Sequence, residues 1–460
     1  MRSAVAMKLR SAVTGVAWPA VPDTKAASLL AQLYQLDQSQ WWLPEELRAA
    51  QFGQLTLLLA HAAATVPFYG DRLKAMGFDP RRPLTEEQWR RVPILERREV
   101  QQAGTALRSA KPPGAHGKVF TVTTSGSTGR PVTVARTAVD ALYWDAHTLR
   151  DHLWHRRDLR GKLAVIRAQG DDKARWPKGA TLGRWGSVTG SVFETGPAVV
   201  LNAAEPVDRQ LEWLARQNPD YLIVLPTHLA ELARLARRQG VKLPRLKGIE
   251  TLGGMLAPET RRSCREVWGV PVADTYSAQE LGYMALQCPD HEHFHVTAES
   301  VLVEIVDERG EPCAVGASGR VVVTPLHNFA MPLIRYAIGD HAEVGPPCSC
   351  GRGLPVLARI LGRVRNLLTL PTGERIGAMF VNDVFKDAPV AQFQVVQHAL
   401  DHLEMRVVPT RPFTPADERR ISDSVIGRLG HPFRITFSYL EEIPRGPGGK
   451  FEDFRSEIAT

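Results

Sequence analysis

A nine-residue stretch rich in glycine and hydroxyl side chains is the clearest sign of chemistry in this sequence. Residues 123–131 read TTSGSTGRP, and apolar β-branched residues precede and follow them. The pattern predicts a strand, a tight loop and a second strand. Glycines let backbone N–H groups approach a ligand closely and the hydroxyls add donors, so the loop suits phosphate oxygens. It lacks the Gly-Lys-Ser/Thr ending of a Walker loop, and a Ser/Thr-rich hairpin turn is the alternative.

Cysteines and histidines form a second group of residues with chemical potential. Cys288 is followed by His291, His293 and His295, and Cys-Ser-Cys occupies 348–350. Alternate residues of an extended segment share a face, so the three histidines could point together. Thiolates and imidazoles suit Zn²⁺ in a tetrahedral site. Cys-x-Cys is tighter than the usual zinc spacing, and reduced thiols beside surface histidines are the alternative.

Four more motifs follow the glycine-rich loop in chain order. They read YSAQE at 276–280, RYAIGD at 335–340, GRVRN at 362–366 and PRGPGGK at 444–450. The ordered series resembles the adenylate-forming superfamily of acyl-CoA synthetases, adenylation domains and luciferases. Within it, the chain is most similar to the phenylacetate–CoA ligase branch and its relatives near capsule and natural-product loci. The resemblance extends from about Ser39 to the C-terminus.

The resemblance implies a binding site for ATP. Tyr276 would stack on adenine, which the Gly253-Gly254 turn would border. Asp340 would accept hydrogen bonds from both ribose hydroxyls, and Arg363 would reach the ribose or a phosphate. The β- and γ-phosphates would be held by the loop residues Thr124, Ser125, Gly126, Ser127, Thr128 and Gly129.

The resemblance also implies two residues that take part in the chemistry. Glu280 would hold Mg²⁺, which prefers oxygen ligands. Lys450 would swing in during adenylation to neutralise developing charge, and leave for the second half-reaction. Gln279 departs from the family, where Thr or Ser touches the α-phosphate, although Gln can still donate an N–H. Arg365 stands where many relatives have the hinge Asp or Lys.

Some members of the ligase branch carry similarly placed Cys and His residues that look metal-binding. On that resemblance we expect a closed, structural Zn²⁺ site with four ligands and no open position. The chosen ligands are Cys288, His295, Cys348 and Cys350.

Composition limits the class of protein. The 460 residues leave room for two or three domains and a large core. The net charge of +8 suits an anionic ligand such as ATP or CoA, and a basic run with interleaved aromatics, typical of nucleic-acid binders, does not occur in the sequence. Five cysteines favour reduced thiols in a cytoplasmic protein. No apolar run reaches the about 20 residues that span a bilayer.

The order of patterns predicts an α/β fold. Residues 27–102 have helical spacing, 162–255 alternate between strand and helix, and the region after 271 turns toward β. We expect a large N-terminal adenylate-forming domain of layered sheets and helices at 1–361. A small, mobile α+β lid domain would follow at 362–460, with a β-α-β order after residue 393.

These expectations together describe an ATP-dependent acid–thiol ligase. A small carboxylic acid, aryl or other, would form acyl-AMP with release of pyrophosphate, and coenzyme A would displace AMP. One alternative passes the acyl group to a carrier protein or an amine in a natural-product or polysaccharide pathway. Another is a non-catalytic nucleotide-binding homologue, and a nucleic-acid binder rests on charge alone. A homodimer is left open.

Overall fold

The computed structural model describes most of the chain, in eight stretches. The first three carry a large domain, and the others carry a smaller C-terminal unit. The stretches are residues 7–124, 131–170, 173–363, 367–372, 375–377, 384–385, 388–443 and 454–458.

A series of helices leads into the large domain, as the spacing in residues 27–102 predicts. Proline 67 ends one helix and begins the next, because its ring is tolerated in a first turn and not in a helix interior. The helices are α1 (Thr24–Ser39), α2 (Pro44–Thr65), α3 (Pro67–Ala75), α4 (Glu86–Arg90) and α5 (Arg97–Ala103). Two 3₁₀ turns follow at Gly104–Leu107 and Gly114–His116.

The two strands predicted on either side of the glycine-rich stretch are confirmed. Strand β1 (Val119–Thr123) pairs antiparallel with β2 (Thr133–Thr137). Just past β1, the Thr124 N–H donates to the carbonyl of Val132 at 2.9 Å, and its hydroxyl accepts from the Val132 N–H at 3.0 Å. These bonds close the hairpin immediately before the part of the loop that the structure does not describe.

Strands and helices then alternate, which confirms the α/β prediction for 162–255. The elements are α6 (Ala138–Trp154), β3 (Leu163–Arg167), β4 (Ala180–Leu182), α7 (Gly186–Val192), β5 (Ala198–Asn202), α8 (Val207–Gln217), β6 (Tyr221–Val224), α9 (Pro226–Gln239), β7 (Gly248–Leu252), α10 (Pro258–Trp268) and β8 (Val272–Ala278). Helix α9 buries Leu229, Leu232 and Ala236 against this sheet region, on the face that the sequence predicted.

Antiparallel strands complete the large domain. They are β9 (Gly282–Gln287), β10 (Phe294–Val296), β11 (Val301–Val306), β12 (Ser318–Pro325), β13 (Tyr336–Val344) and β14 (Val356–Arg363). Within the described residues they join strands β3 to β8 in one 12-stranded sheet with the order β11-β12-β13-β14-β10-β9-β8-β7-β6-β3-β5-β4, whereas β1 and β2 form a sheet of their own. Gly362 and Arg363, the first two residues of the predicted lid, still pair with β13.

The C-terminal unit differs from the predicted β-α-β order. The apolar stretch 393–408 is a hairpin of two strands, because the chain reverses between them at 400–401. The order is therefore β-β-α-β, and a four-stranded sheet has the order β19-β18-β17-β20. The elements are β15 (Leu367–Thr369), β16 (Arg375–Gly377), β17 (Val390–Ala399), β18 (His402–Pro409), α11 (Pro415–Leu429), β19 (Arg434–Tyr439) and β20 (Phe454–Ser456).

Candidate nucleotide site and cysteine–histidine cluster

Three predicted nucleotide-binding residues from distant segments meet at one point. The Tyr276 hydroxyl donates a hydrogen bond to Asp340 Oδ2 at 2.8 Å. Arg363 Nε lies 3.5 Å from the other oxygen, Asp340 Oδ1. Tyr276 lies on β8, whereas Asp340 and Arg363 face each other on β13 and β14.

The contact between Tyr276 and Asp340 requires a strongly curled sheet. Strands β9, β10 and β14 lie between β8 and β13 in the sheet order. In a flat sheet four steps of about 4.8 Å would hold the two strands about 19 Å apart. The observed hydrogen bond shows that the sheet bends until its strands face each other across a cleft.

Burial sets the chemistry of this pair. Tyr276 is 9% exposed and Asp340 is 8% exposed. Burial, together with the charge of Asp340, raises the pKa of the Tyr276 hydroxyl well above its usual range, so the tyrosine stays a hydrogen-bond donor. The carboxylate keeps Oδ1 beside Arg363 as its second accepting position.

The predicted Gly-Gly turn lies next to the same point. Gly253 follows β7 with φ of +76°, a conformation that favours glycine. A Cβ on Gly254 would meet Pro226 Cδ at 3.4 Å, so α9 packs against the turn. A Cβ on Gly362 would lie 3.2 Å from Met255 Sδ. The turn is thereby held close to the end of β14, where Arg363 begins its reach toward Asp340.

Glu280, the predicted magnesium ligand, is buried beside a cation that the sequence analysis did not single out. Its side chain is 4% exposed, and Arg97 Nη1 lies 3.5 Å from its Oε1. Arg97 also donates from Nη1 to the Tyr336 hydroxyl at 3.1 Å and from Nη2 to Thr124 Oγ1 at 3.4 Å. Arg97 therefore connects Glu280, the predicted magnesium ligand, with the start of the predicted phosphate loop.

Backbone contacts explain why Arg97 lies there. The Leu95 N–H donates to the Arg335 carbonyl at 2.9 Å, and the Ala337 N–H donates to the Leu95 carbonyl at 3.0 Å. This short parallel bridge fixes the start of α5 against β13. Nothing in the local sequence marks Arg97, because its partners come from motifs 27, 183 and 239 residues away.

Gln279, the departure from the family pattern, is exposed. Its carbonyl accepts from Arg136 Nη1 at 3.2 Å. Arg136 itself is buried, forms an ion pair with Asp140 and lies over the ring of Trp144 at 5.3 Å. These contacts fix the backbone of the YSAQE segment and leave the Gln279 side chain at the surface.

Several predicted residues lie outside the described residues. They are Ser125, Gly126, Ser127, Thr128, Gly129, Arg365 and Lys450, and their roles remain predictions.

The four predicted zinc ligands are brought together. One donor atom from each of Cys288, His295, Cys348 and Cys350 lies within 4.8 Å of the others. Cys288 Sγ is 3.9 Å from Cys348 Sγ, and Cys350 Sγ is 3.4 Å from His295 Nε2. Tetrahedral zinc with Zn–S near 2.3 Å and Zn–N near 2.0 Å requires separations of about 3.8 Å and about 3.6 Å. The donor set therefore has the dimensions of a zinc site.

A second histidine competes for the same place. His291 Nδ1 lies 3.5 Å from both Cys288 Sγ and Cys348 Sγ, and His291 stacks on His293 with 5.0 Å between ring centres. His295 is fully buried and meets the Trp154 ring edge-on, whereas His291 is exposed. Burial lowers the pKa of His295 to about 4, which keeps the ring neutral and able to bind a metal.

The cluster lies at the far end of a strand from the nucleotide site. Glu280 precedes β9, and Cys288 follows its last residue. Six extended residues span about 20 Å. A metal at the cluster is therefore too distant to touch the reacting phosphates.

Comparison with known proteins places the chain in a family. The AMP-binding enzyme family matches residues 53–330, and the CapK C-terminal domain family matches residues 368–456. The first match covers more than half of the chain. The chain therefore belongs to the AMP-binding enzyme family, in the adenylate-forming superfamily, as the motifs predicted.

Individual relatives narrow the class to phenylacetate–CoA ligase-like members. The chain is 27% identical to a phenylacetate–coenzyme A ligase of Thermus thermophilus over 88% of this chain and 95% of that protein. It is 24% identical to one of Pseudomonas putida over 73% and 74% of the two chains. A solved 2-hydroxyisobutyryl-CoA ligase with a bound acyl adenylate matches with a TM-score of 0.72 and 19% identity, covering 92% of each chain. This last likeness confirms the predicted fold.

Among the described residues, no helix is both long and apolar enough to cross a bilayer.

Proposed function

We propose that this chain activates a small carboxylic acid with MgATP and transfers the acyl group to the thiol of coenzyme A. The acid attacks the α-phosphorus of ATP, the bond to the β-phosphate oxygen breaks, and acyl-AMP and pyrophosphate form. The thiol then attacks the acyl carbon, and AMP leaves with the electron pair of the broken acyl–phosphate bond. Aryl acids are the first candidates, because the relatives include phenylacetate–coenzyme A ligases.

The meeting of Tyr276, Asp340 and Arg363 is the observation that carries this proposal. A buried carboxylate that already accepts from one hydroxyl is suited to accept from ribose hydroxyls in the same way. Arg363 supplies a cation beside it, and the Gly253-Gly254 turn lets an adenine ring approach the backbone. Residues from three segments of the chain thus converge on one point, which supports a nucleotide site there.

The residues divide the work by position. Asp340 and Arg363 hold the ribose, and Tyr276 presents its ring to the base. Thr124 and the loop that follows it hold the outgoing pyrophosphate. Lys450 approaches the α-phosphate during the first half-reaction and withdraws in the second, because the charge that it neutralises leaves with pyrophosphate.

Glu280 is the residue that would hold Mg²⁺. It is a buried carboxylate near the phosphate loop, and a hard cation bound there would neutralise charge on the phosphates. Its only described cationic contact is Arg97 at 3.5 Å, longer than the about 2.7–2.9 Å of a tight charge-assisted hydrogen bond. The site chemistry thus fits an oxygen-bound metal.

We further assign the cysteine–histidine cluster to structural Zn²⁺. Three thiols and an imidazole at tetrahedral separations support Cys288, His295, Cys348 and Cys350 as ligands. The cluster is tied to the helical lead-in, because Arg352 lies over the Trp154 ring at 4.5 Å and donates from Nε to Gln40 Oε1 at 3.0 Å. Zinc would fix the loop at 348–353 against α1 and α6.

A pyrophosphate-exchange screen tests the activity and finds the acid together. Purified protein, MgATP and labelled pyrophosphate are incubated with single acids, and labelled ATP is measured. Exchange that depends on one acid class supports the proposal. Absence of exchange with every acid, while ATP still binds, would favour the non-catalytic alternative.

The acceptor needs a separate test, because the C-terminal unit matches the CapK C-terminal domain family. In this superfamily the lid contributes to the second half-reaction. Because of the CapK match, a carrier-protein thiol or an amine stays the alternative acceptor. Preformed acyl-AMP is offered coenzyme A, a phosphopantetheinyl carrier protein and amines, and the product is identified by mass spectrometry. Thioester on coenzyme A supports the main proposal.

We also propose a cytoplasmic location. ATP and coenzyme A are cytoplasmic substrates, and all five cysteines are free thiols. Non-reducing peptide mapping of protein taken from its native cells tests this, since stable disulfides would contradict it.

A further inference from the structure

Arg97 and Glu280 form an ion pair at the place where the proposed function needs a metal. Glu280 is 4% exposed and Arg97 is 17% exposed, so water screens the pair poorly. A buried carboxylate without a cation is costly, and Arg97 supplies a cation to Glu280. Among the described residues no other Lys or Arg lies within 4 Å of the Glu280 carboxylate.

The ion pair between Arg97 and Glu280 can separate easily. Its 3.5 Å separation is long for a hydrogen bond between charged groups, so the guanidinium is not tightly held by the carboxylate. Arg97 keeps its position through two neutral oxygens, those of Tyr336 and Thr124. Burial raises the pKa of Tyr336 to about 12, so that hydroxyl carries no charge that would hold Arg97 back.

Arg97 also has a hydrogen-bond donor that could bind a further acceptor. Its Nε is buried and has no hydrogen-bond partner among the described residues. Its Nη2 already reaches Thr124, the first residue of the phosphate loop. A guanidinium in this position matches phosphate oxygens, which accept several N–H donors at once.

We propose that Arg97 occupies the metal position of Glu280 until nucleotide arrives, and then exchanges one anion for another. Glu280 would then hold the metal that accompanies the triphosphate, and the released guanidinium of Arg97 would turn to the terminal phosphates beside Thr124. Free divalent metal consequently binds the empty enzyme weakly. This inference rests on the proposed nucleotide site and adds an order of binding to it.

Binding of Mn²⁺ to the nucleotide-free enzyme tests the exchange, with electron paramagnetic resonance reporting free Mn²⁺. Arg97→Gln should bind Mn²⁺ at least about tenfold more tightly than the parent, because the competing cation is gone. Arg98→Gln, a neighbouring exposed arginine on α5, should match the parent. Arg97→Gln combined with Glu280→Gln should lose the gain, which assigns the metal to Glu280.

Pyrophosphate exchange supplies the second readout. Arg97→Gln should raise the KM for pyrophosphate by about tenfold or more, as expected for losing a charged phosphate contact. Arg97→Lys, which retains a cation, should keep the parent's weak Mn²⁺ binding. A merely structural role for Arg97 would not tighten Mn²⁺ binding in any variant.

A milder variant tests the same inference if Arg97→Gln does not fold. Tyr336→Phe removes one hydrogen bond that holds Arg97 and leaves the ring in the core. It should tighten Mn²⁺ binding by about threefold, a smaller effect than loss of the cation. Unchanged Mn²⁺ affinity in both Tyr336→Phe and any folded Arg97 variant overturns the inference. If Mn²⁺ affinity is unchanged but the parent still catalyses pyrophosphate exchange, the proposed function stands. Only the proposed replacement of Arg97 by a metal at Glu280 is then wrong.

Discussion

The Tyr276 hydroxyl and the Asp340 carboxylate are joined by a 2.8 Å hydrogen bond across a gap of 64 residues. The bond joins two separate strands of the sheet, because curvature brings Tyr276 and Asp340 to opposite walls of one cleft. Because the tyrosine remains protonated, it orients Asp340 and leaves its second oxygen for a ligand.

Loss of the Asp340 carboxylate should weaken ATP binding specifically. We expect Asp340→Ala to raise the KM for ATP by about 10 to 100-fold, because charge-assisted hydrogen bonds contribute ~1.5–3 kcal/mol each. Tyr276→Phe should raise it by no more than about fivefold, since it removes only the orienting bond. Pyrophosphate exchange at varied ATP gives both values. Asp423→Ala, an exposed acid on α11, is the control, and equal KM values for Asp340→Ala and this control would place the ribose elsewhere.

Glu280 should set the requirement for divalent metal. Glu280→Gln should raise the Mg²⁺ concentration that gives half-maximal exchange, because a neutral amide binds a hard cation poorly. Titration of Mg²⁺ at saturating ATP measures it, with Glu311→Gln, an exposed carboxylate on a turn, as the matched control. A parent-like Mg²⁺ curve would contradict the assignment of the metal to Glu280.

Lys450 should act in one half-reaction only. Lys450→Ala is expected to slow acyl-AMP formation by about 10² to 10⁴-fold, the scale of losing one transition-state cation. Thioester formation from supplied acyl-AMP should continue at nearly the parent rate. Lys74→Ala, an exposed lysine on α3, controls for loss of charge alone. Equal losses in both half-reactions would disagree with a lysine that leaves between them.

The sequence was sufficient for the fold class, and it singled out Tyr276, Asp340 and Arg363, which the structure brings together. The fixed order of the motifs led to the predicted nucleotide-binding residues. The spacing of apolar residues predicted the strands and α9. The separation of β17 and β18 was missed because both strands are apolar and only two residues, 400–401, turn the chain between them. A turn that short, without the Asn-Gly or Asp-Gly pair typical of tight hairpins, leaves little signal in the sequence.

Arg97 could not be predicted from the sequence for a different reason. Its importance comes from Glu280, Tyr336 and Thr124, which are distant in the chain. The exposed position of Gln279 has the same origin, because Arg136 holds its carbonyl from another element. The local sequence indicates which residues could take part in chemistry. The residues that contact them and set their position and charge are brought there by tertiary packing.

Asp274 should make stability depend on pH. Burial raises its pKa to about 6, against which the hydrogen bond from Thr251 Oγ1 at 2.6 Å acts only in part. An unfolded Asp titrates near pH 3.9, so the folded state binds more protons between about pH 4 and pH 6. The contribution of Asp274 to stability is therefore present below pH 4 and is lost as pH rises through 6.

Asp274→Asn removes this titration. The free energy of unfolding of the parent minus that of the variant should fall by about 3 kcal/mol between pH 4 and pH 7, the equivalent of about two pKa units. Urea unfolding at several pH values measures the difference. Any constant cost of fitting the amide cancels in this slope, so a pH-independent difference would show that folding does not raise the pKa of Asp274.

Zinc should stabilise the fold without entering the reaction. The ligand cluster lies about one six-residue strand, roughly 20 Å, from Glu280. It brings together the segments at 288–295 and 348–350, which come from different parts of the chain. Removing the metal should therefore lower Tm more than it lowers the initial rate measured at low temperature.

Elemental analysis of the purified protein gives the decisive measurement. We expect about one zinc per chain, and near zero when Cys348 and Cys350 are both replaced by Ser. Cys313→Ser, whose sulfur donates to the Ser318 carbonyl outside the cluster, should keep the metal. His295→Ala should lose more zinc than His291→Ala, because His295 is buried with Cys350 while His291 is exposed. If His291→Ala loses more zinc than His295→Ala, the fourth ligand is His291 and the proposed site stands. Parent protein that contains no zinc and has all its thiols titratable would contradict the zinc site.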